Sequence, residues 1–210
     1  MESASGAGRP GYYQDREVVA SYHLRYESGF AKWKHERKKS ILRSWIKKTN
    51  PTRLLEVACG PGRFYETYRD YRATACDLSS EMLEELRSRF PEASLVRADA
   101  LALPFRPQSF DVVFATRFLS HLRGEFRRRV LAELVRVSRR RVILDARHCY
   151  NLRYLSRWMR RRLGLARADK LRHTYGQFRR ELEEAGLEVL EVRSIAWGLS
   201  ARFLVLCEKR

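Results

Sequence analysis

Two carboxylates and two glycines stand at a spacing that can hold a small polar ligand. Glu56 lies at the end of the apolar run Leu54, Leu55, Val57, and Ala58-Cys59-Gly60-Pro61-Gly62 follows directly. A second apolar run, Ala73 to Cys76, ends in Asp77, twenty-one residues after Glu56. The pattern predicts a strand, a tight glycine turn, a short helix over 63–71 and a second strand. Gly60 and Gly62 permit positive φ and let a ligand approach where a Cβ would otherwise stand. Asp77 arrives at the carboxyl end of the neighbouring strand, where a carboxylate can accept from both hydroxyls of a ribose. Glu56, at the end of the first strand, suits a cationic amino group.

A nicotinamide dinucleotide competes for this pattern. Its fingerprint is G-x-G-x-x-G, and the third glycine falls on Tyr65. A bulky side chain there opposes close helix packing over a pyrophosphate, which also leaves Glu56 unexplained. An amine at one end and a ribose at the other fit better, and S-adenosyl-L-methionine has that shape.

Four stretches, LLEVACGPGRF, CDLSSEML, RADALALPF and SFDVVFATRFLSHL, occur in order between Leu54 and Leu122. Together they resemble the successive motifs of the class I S-adenosylmethionine-dependent methyltransferases, closest to the small type 11 group. Ala58 departs from the glycine usual in that family. The resemblance implies an α/β, doubly wound, Rossmann-like seven-stranded sheet, with six parallel strands, an antiparallel last strand and helices on both faces. It also implies a cofactor held by Glu56, Ala58, Cys59, Gly60, Gly62 and Asp77. Leu78 and Met82 would border adenine and ribose, Asp99 would accept from the adenine amino group, and the backbone near Ala100 would touch the ring. Thr116 would lie beside the methyl donor. An N-terminal lid would bring Tyr13, and Tyr12 beside it, over the cofactor.

The elements that must position these residues follow in chain order. Residues 1–11 read as a disordered tail, and 12–210 as one domain: a helical lid over 12–50, a cofactor-binding core over 52–146, a basic cap over 147–175, and a C-terminal helix and hairpin over 176–210. In the lid, Val18, Val19, Tyr22 and Tyr26 recur at helix spacing, and Trp33, Ile41, Leu42, Trp45 and Ile46 continue the pattern until Asn50-Pro51. Ser79 or Ser80 caps a helix with Met82, Leu83, Leu86 and Phe90 on its apolar stripe. Strands are expected at 95–97, 111–115 and 142–144, with a helix over 124–137 that turns Phe126 inward and Arg127 outward. Asp145, Arg147 and His148 leave the fifth strand towards the crevice. Leu152, Leu155, Trp158, Met159 and Leu163 form one face of an amphipathic cap helix whose other face carries arginines. Thr174 caps the last helix before two strands joined near Trp197-Gly198.

The formal net charge is +18. Between Arg123 and Arg180, eighteen Arg and one Lys face four acidic residues. Such a field favours RNA or an anionic membrane surface over cationic partners, although a solvated basic surface accounts for it equally well. No apolar run approaches the roughly 18 residues of a membrane span, and the N-terminus has no apolar signal segment. Cys59, Cys76, Cys149 and Cys207 are scattered, which reads as free thiols in a cytoplasmic setting. No metal-ligand cluster is visible.

Methyl transfer from a sulfonium needs alignment more than acid–base help. If a base is used, His121 is the first candidate, with His148 behind it. Arg117 would clamp a carboxylate or phosphate of the acceptor. The favoured function is methylation of a small-molecule or lipid- or glycan-linked acceptor. The alternatives are a tRNA or rRNA methyltransferase using the arginine field and a non-catalytic cofactor-binding module. The expected D/N-P-P-Y/F of many amino-directed nucleic-acid enzymes is absent at 115–118.

Overall fold

The computed structural model of the chain describes Val19, residues 28–147, Arg162, residues 174–196, Ser200 and residues 202–210. Within them run α1 (Gly29–Thr49), β1 (Arg53–Val57), β2 (Arg72–Asp77), α2 (Ser80–Arg89), β3 (Ser94–Arg97), β4 (Phe110–Ala115), α3 (Gly124–Val137), β5 (Ser138–Arg147), α4 (Tyr175–Glu184), β6 (Leu187–Ser194) and β7 (Arg202–Lys209). One seven-stranded sheet results, in the order β3-β2-β1-β4-β5-β7-β6. Strands β1 to β5 pair in parallel, and β7 is antiparallel to both β5 and β6. β7 is therefore the single reversed strand, as expected. The order reverses between β1 and β4, which opens a crevice at their carboxyl ends.

Strand alternation builds two cores. Leu55, Val113, Val142, Leu144 and Val205 face α3 and α4, meeting Val130, Leu131, Leu134, Phe178 and Leu182. Leu54, Val112, Phe114, Ile143 and Leu204 face α1 and α2, meeting Ile41, Leu42, Trp45, Ile46 and Leu86. Each such side chain, fully buried, contributes about 1.5–3 kcal/mol. The helices thus cover both faces, the doubly wound arrangement.

Local chemistry sets the boundaries. Asn50 ends α1 in the left-handed region, φ 43°, and Pro51 prevents its continuation. Ser79 caps α2 by accepting from Met82 N–H at 3.1 Å. Thr174 and Gln177 form a reciprocal capping box on α4.

Three expectations are corrected. The segment 63–71 is not an α-helix; it is a run of turns around a 3-10 turn, Tyr65–Thr67. Phe64, Tyr65 and Tyr68 are all buried, and Thr67 Oγ1 donates to Phe64 O at 2.6 Å, so aromatic packing overrides helical continuation. In α3 the inward and outward assignments at 126 and 127 are reversed. Phe126 is exposed and Arg127 is buried, because the Arg127 guanidinium reaches Glu181 Oε1 at 2.5 Å and Leu119 O at 2.8 Å, and lies over the Phe178 ring. Trp33, placed on the apolar stripe of the first helix, is half exposed, because that stripe meets the sheet only from Lys38 onwards. Tyr12, Tyr13, His148, Cys149 and all of the expected cap helix but Arg162 lie outside the described residues.

Candidate functional site

The turn after β1 holds three residues in the left-handed region within five positions: Ala58 (φ 57°), Gly60 (φ 56°) and Gly62 (φ 74°). Two glycines occupy positions that require them. A Cβ on Gly62 would stand 2.7 Å from Leu86 Cγ; on Gly60 it would meet only Met82 Sδ, at 4.0 Å. One glycine is thus needed for packing against α2, while the other keeps the turn open towards the crevice.

Asp77 ends β2 and ties the turn down. Its Oδ2 accepts from Gly60 N–H at 2.8 Å, and its Oδ1 from Ser79 N–H at 3.0 Å. Cys59 N–H donates to Cys76 O at 3.0 Å, and Ala98 N–H to Asp77 O at 3.0 Å. The ends of β1, β2 and β3 are therefore fastened together around one carboxylate. Burial raises the Asp77 pKa, opposed by these N–H donors.

Glu56 is 1% exposed, and its Oε2 accepts from the Tyr68 hydroxyl at 2.5 Å. Burial pushes its carboxyl up to about 8, with Asp77 adding to the shift and the Tyr68 hydrogen bond opposing it. A carboxyl so placed favours a cation beside it. The Glu56–Asp77 pair across neighbouring strands, with an open glycine between them, fits a ligand carrying an ammonium and a diol.

The outer residues are arranged more loosely. Leu78 is exposed and Met82 buried. Asp99 is exposed and accepts from Leu101 N–H at 2.9 Å through Oδ1, capping a turn beside the buried Ala100. Thr116, at the end of β4, is buried. Arg117 follows in the left-handed region, φ 60°. His121 ends a 3-10 turn, Leu119–His121, and is partly buried.

A group that sequence spacing did not assemble holds this side together. Asp145 on β5, 1% exposed, accepts from Arg117 N–H at 2.5 Å, Lys38 Nζ at 2.6 Å and Arg202 at 3.0 Å. Although burial raises its carboxyl, the two cations and the N–H donor outweigh that and hold it well below the usual range. Burial pulls Lys38 down to about 8 despite the pairing. One signal was available: Lys38 stands on the stripe continued by Ile41, Leu42 and Trp45, and a lysine on an apolar stripe implies a buried partner. No comparable signal marks Tyr68.

His35 is also on α1. Its Nδ1 lies 3.2 Å from the Arg63 guanidinium, and its ring packs on Phe64 with centroids 5.2 Å apart. Burial first, then Arg63, Lys39, Lys38 and Arg117, lower its pKa to about 3, so the imidazole is neutral at pH 7. The pocket lined by Lys48, Arg140, Arg141 and Leu206 sits at the opposite edge, where the strands begin, and contains none of these residues.

Residues 55–144 match the family model described as a methyltransferase domain. The chain is 30% identical over 98 residues to a probable tRNA methyltransferase 9B of Bos taurus, covering 46% of this chain and 21% of that protein. It is 22% identical over 204 residues to a ubiquinone/menaquinone biosynthesis C-methyltransferase UbiE of Campylobacter jejuni, covering 82% and 85%. The chain thus spans about a fifth of the first relative and most of the second. Among solved structures, magnesium protoporphyrin IX methyltransferase (ChlM) of Synechocystis with bound SAH superposes with a TM-score of 0.76 at 16% identity, over 94% of this chain and 97% of that one.

Proposed function

We propose that residues 55–144, a methyltransferase domain of the class I S-adenosylmethionine-dependent family, bind S-adenosyl-L-methionine in the crevice and transfer its methyl group to an acceptor at the ends of β4 and β5. The observation that carries this reading is the pair of carboxylates flanking the left-handed turn, Glu56 buried and Asp77 half-buried. Glu56 takes the amino group and Asp77 the ribose. Met82 and Leu78 line the nucleoside, with Asp99 and the Ala100 backbone at the adenine edge.

Bound there, the sulfonium supplies an electrophilic methyl group. The chain's own contribution is positioning, which can supply several kcal/mol of the barrier. The buried ends of β1 and β4 keep water from the reacting side. Asp145 fixes the Arg117 backbone, so that residue is held where an anionic acceptor would enter. His121, at the end of the turn that follows β4, is the candidate to receive the acceptor's proton.

The acceptor is a small or lipid-linked molecule in this reading. One relative, aligned with this chain over 204 residues, is named for ubiquinone/menaquinone biosynthesis. An RNA acceptor has support of its own in the tRNA methyltransferase relative and the cation-rich α1.

Titration calorimetry with S-adenosyl-L-methionine tests the central step. The wild type is expected to bind, and Asp77→Ala to bind at least about thirtyfold more weakly, because the ribose and Gly60 N–H both lose their acceptor. Unchanged affinity in that variant would remove the site assignment.

A further inference from the structure

α1 runs antiparallel to β1, with Lys38 level with Asp145 at the carboxyl end of β5. At 1.5 Å per residue, Trp33 and Phe30 stand roughly 7–12 Å beyond that level. They therefore stand beyond the carboxyl ends of the strands, the end of the sheet at which the crevice opens. Trp33 is 50% exposed and Phe30 49%. Their rings stack at 5.6 Å with an interplanar angle of 10°, and Lys34 Nζ lies 4.6 Å over the Phe30 ring. Lys32 and Arg37 stand on the same two turns of the helix as the rings and Lys34, and Glu36 is the helix's single acid.

From this arrangement we infer that the rim formed by Phe30, Trp33, Lys32, Lys34 and Arg37 docks the protein on an anionic lipid bilayer, with the crevice facing the membrane. The inference rests on the lipid-linked acceptor reading and names the partner of that site. Aromatic side chains flanked by lysine and arginine are the composition that inserts at a bilayer interface and meets anionic headgroups. Charge complementarity runs the same way: α1 carries eight cations against one acid. The ring geometry weighs against a strand of RNA: a base needs an open aromatic face, and Trp33 stacks on Phe30 while Lys34 lies over the same ring, which leaves Phe30 to apolar insertion rather than base stacking. What remains is an apolar ridge, which a bilayer accommodates. An acceptor held in the membrane would then reach the crevice without crossing water.

The test is vesicle flotation with the full chain. Vesicles of phosphatidylcholine alone are compared with vesicles containing about a third phosphatidylglycerol, and a single-stranded RNA oligonucleotide is assayed in parallel. Binding is expected only to the anionic vesicles and to weaken with salt. Phe30→Ser with Trp33→Ser should weaken it about tenfold or more. Lys32→Gln, Lys34→Gln and Arg37→Gln together should weaken it by about fivefold per cation. Both variants should keep wild-type affinity for S-adenosyl-L-methionine, since neither touches that site. Three results would overturn the proposal: no binding to anionic vesicles at low salt, binding that neither variant weakens, or tighter binding to the RNA than to the vesicles. Failure of S-adenosyl-L-methionine to bind would instead sink the methyltransferase reading, so the two failures are distinct.

Discussion

Asp145 accepts the backbone N–H of Arg117 at 2.5 Å and so holds a residue whose backbone lies in the left-handed region, at φ 60°. A left-handed arginine costs about 1–2 kcal/mol. The same carboxylate binds Lys38 from α1 and Arg202 from β7. One buried group thus joins the helix over the crevice, the loop after β4 and two strands. Asp145→Ala would leave two cations against no anion and is expected to lower unfolding free energy by about 3–5 kcal/mol, measured by urea denaturation. Its acid limb is also defined. The folded carboxyl titrates below the unfolded one, so its stabilisation is complete above about pH 4 and is lost as pH falls through the folded value. The drop in urea midpoint from pH 6 to pH 3 should be smaller in Asp145→Asn.

Proton release accompanies cofactor binding if Glu56 meets the amino group. The carboxyl sits at about 8 in the free protein, so at pH 7 it is mostly protonated. An ammonium beside it requires the carboxylate. Roughly one proton should leave per ligand bound at pH 7. Calorimetry in buffers of different ionisation enthalpy reads this directly, and Glu56→Gln should release none. Tyr68→Phe removes the donor that favours the carboxylate, so its pH midpoint for binding should move upward.

The sheet and the left-handed turn between Glu56 and Asp77 were legible because they rest on short-range pattern. Apolar runs of four to six residues marked β1, β2 and β4, and the turn chemistry between Glu56 and Asp77 lies within one βαβ unit. The acceptor side was less so. Lys38 and Asp145 are 107 positions apart and Arg127 and Glu181 are 54 apart, separations at which no periodicity operates. Arg127 misled the helix assignment because a charged residue was taken to face solvent, whereas a paired guanidinium can be buried. The segment 63–71 misled it because Phe64, Tyr65 and Tyr68 pack in directions that no single helix face can serve.

The rigidity of the glycine turn can be tested by a reciprocal pair. Gly62 has φ +74°, and a Cβ would stand 2.7 Å from Leu86 Cγ. Leu86 is fully buried in the core under α2, so it has little room to retreat. Gly62→Ala combines left-handed strain of about 1–2 kcal/mol with overpacking of about 1–3 kcal/mol, and should destabilise by at least about 2 kcal/mol. Ala58 has the opposite problem: its φ of 57° carries a Cβ that glycine would not. Ala58→Gly relieves that strain but loosens the unfolded chain by about 0.4–1 kcal/mol, so a net gain of up to about 1 kcal/mol is expected. Urea midpoints of both variants provide the check. A loss of stability in Ala58→Gly would mean that the turn takes its shape from Asp77 and Cys76 rather than from the conformational preference of residue 58.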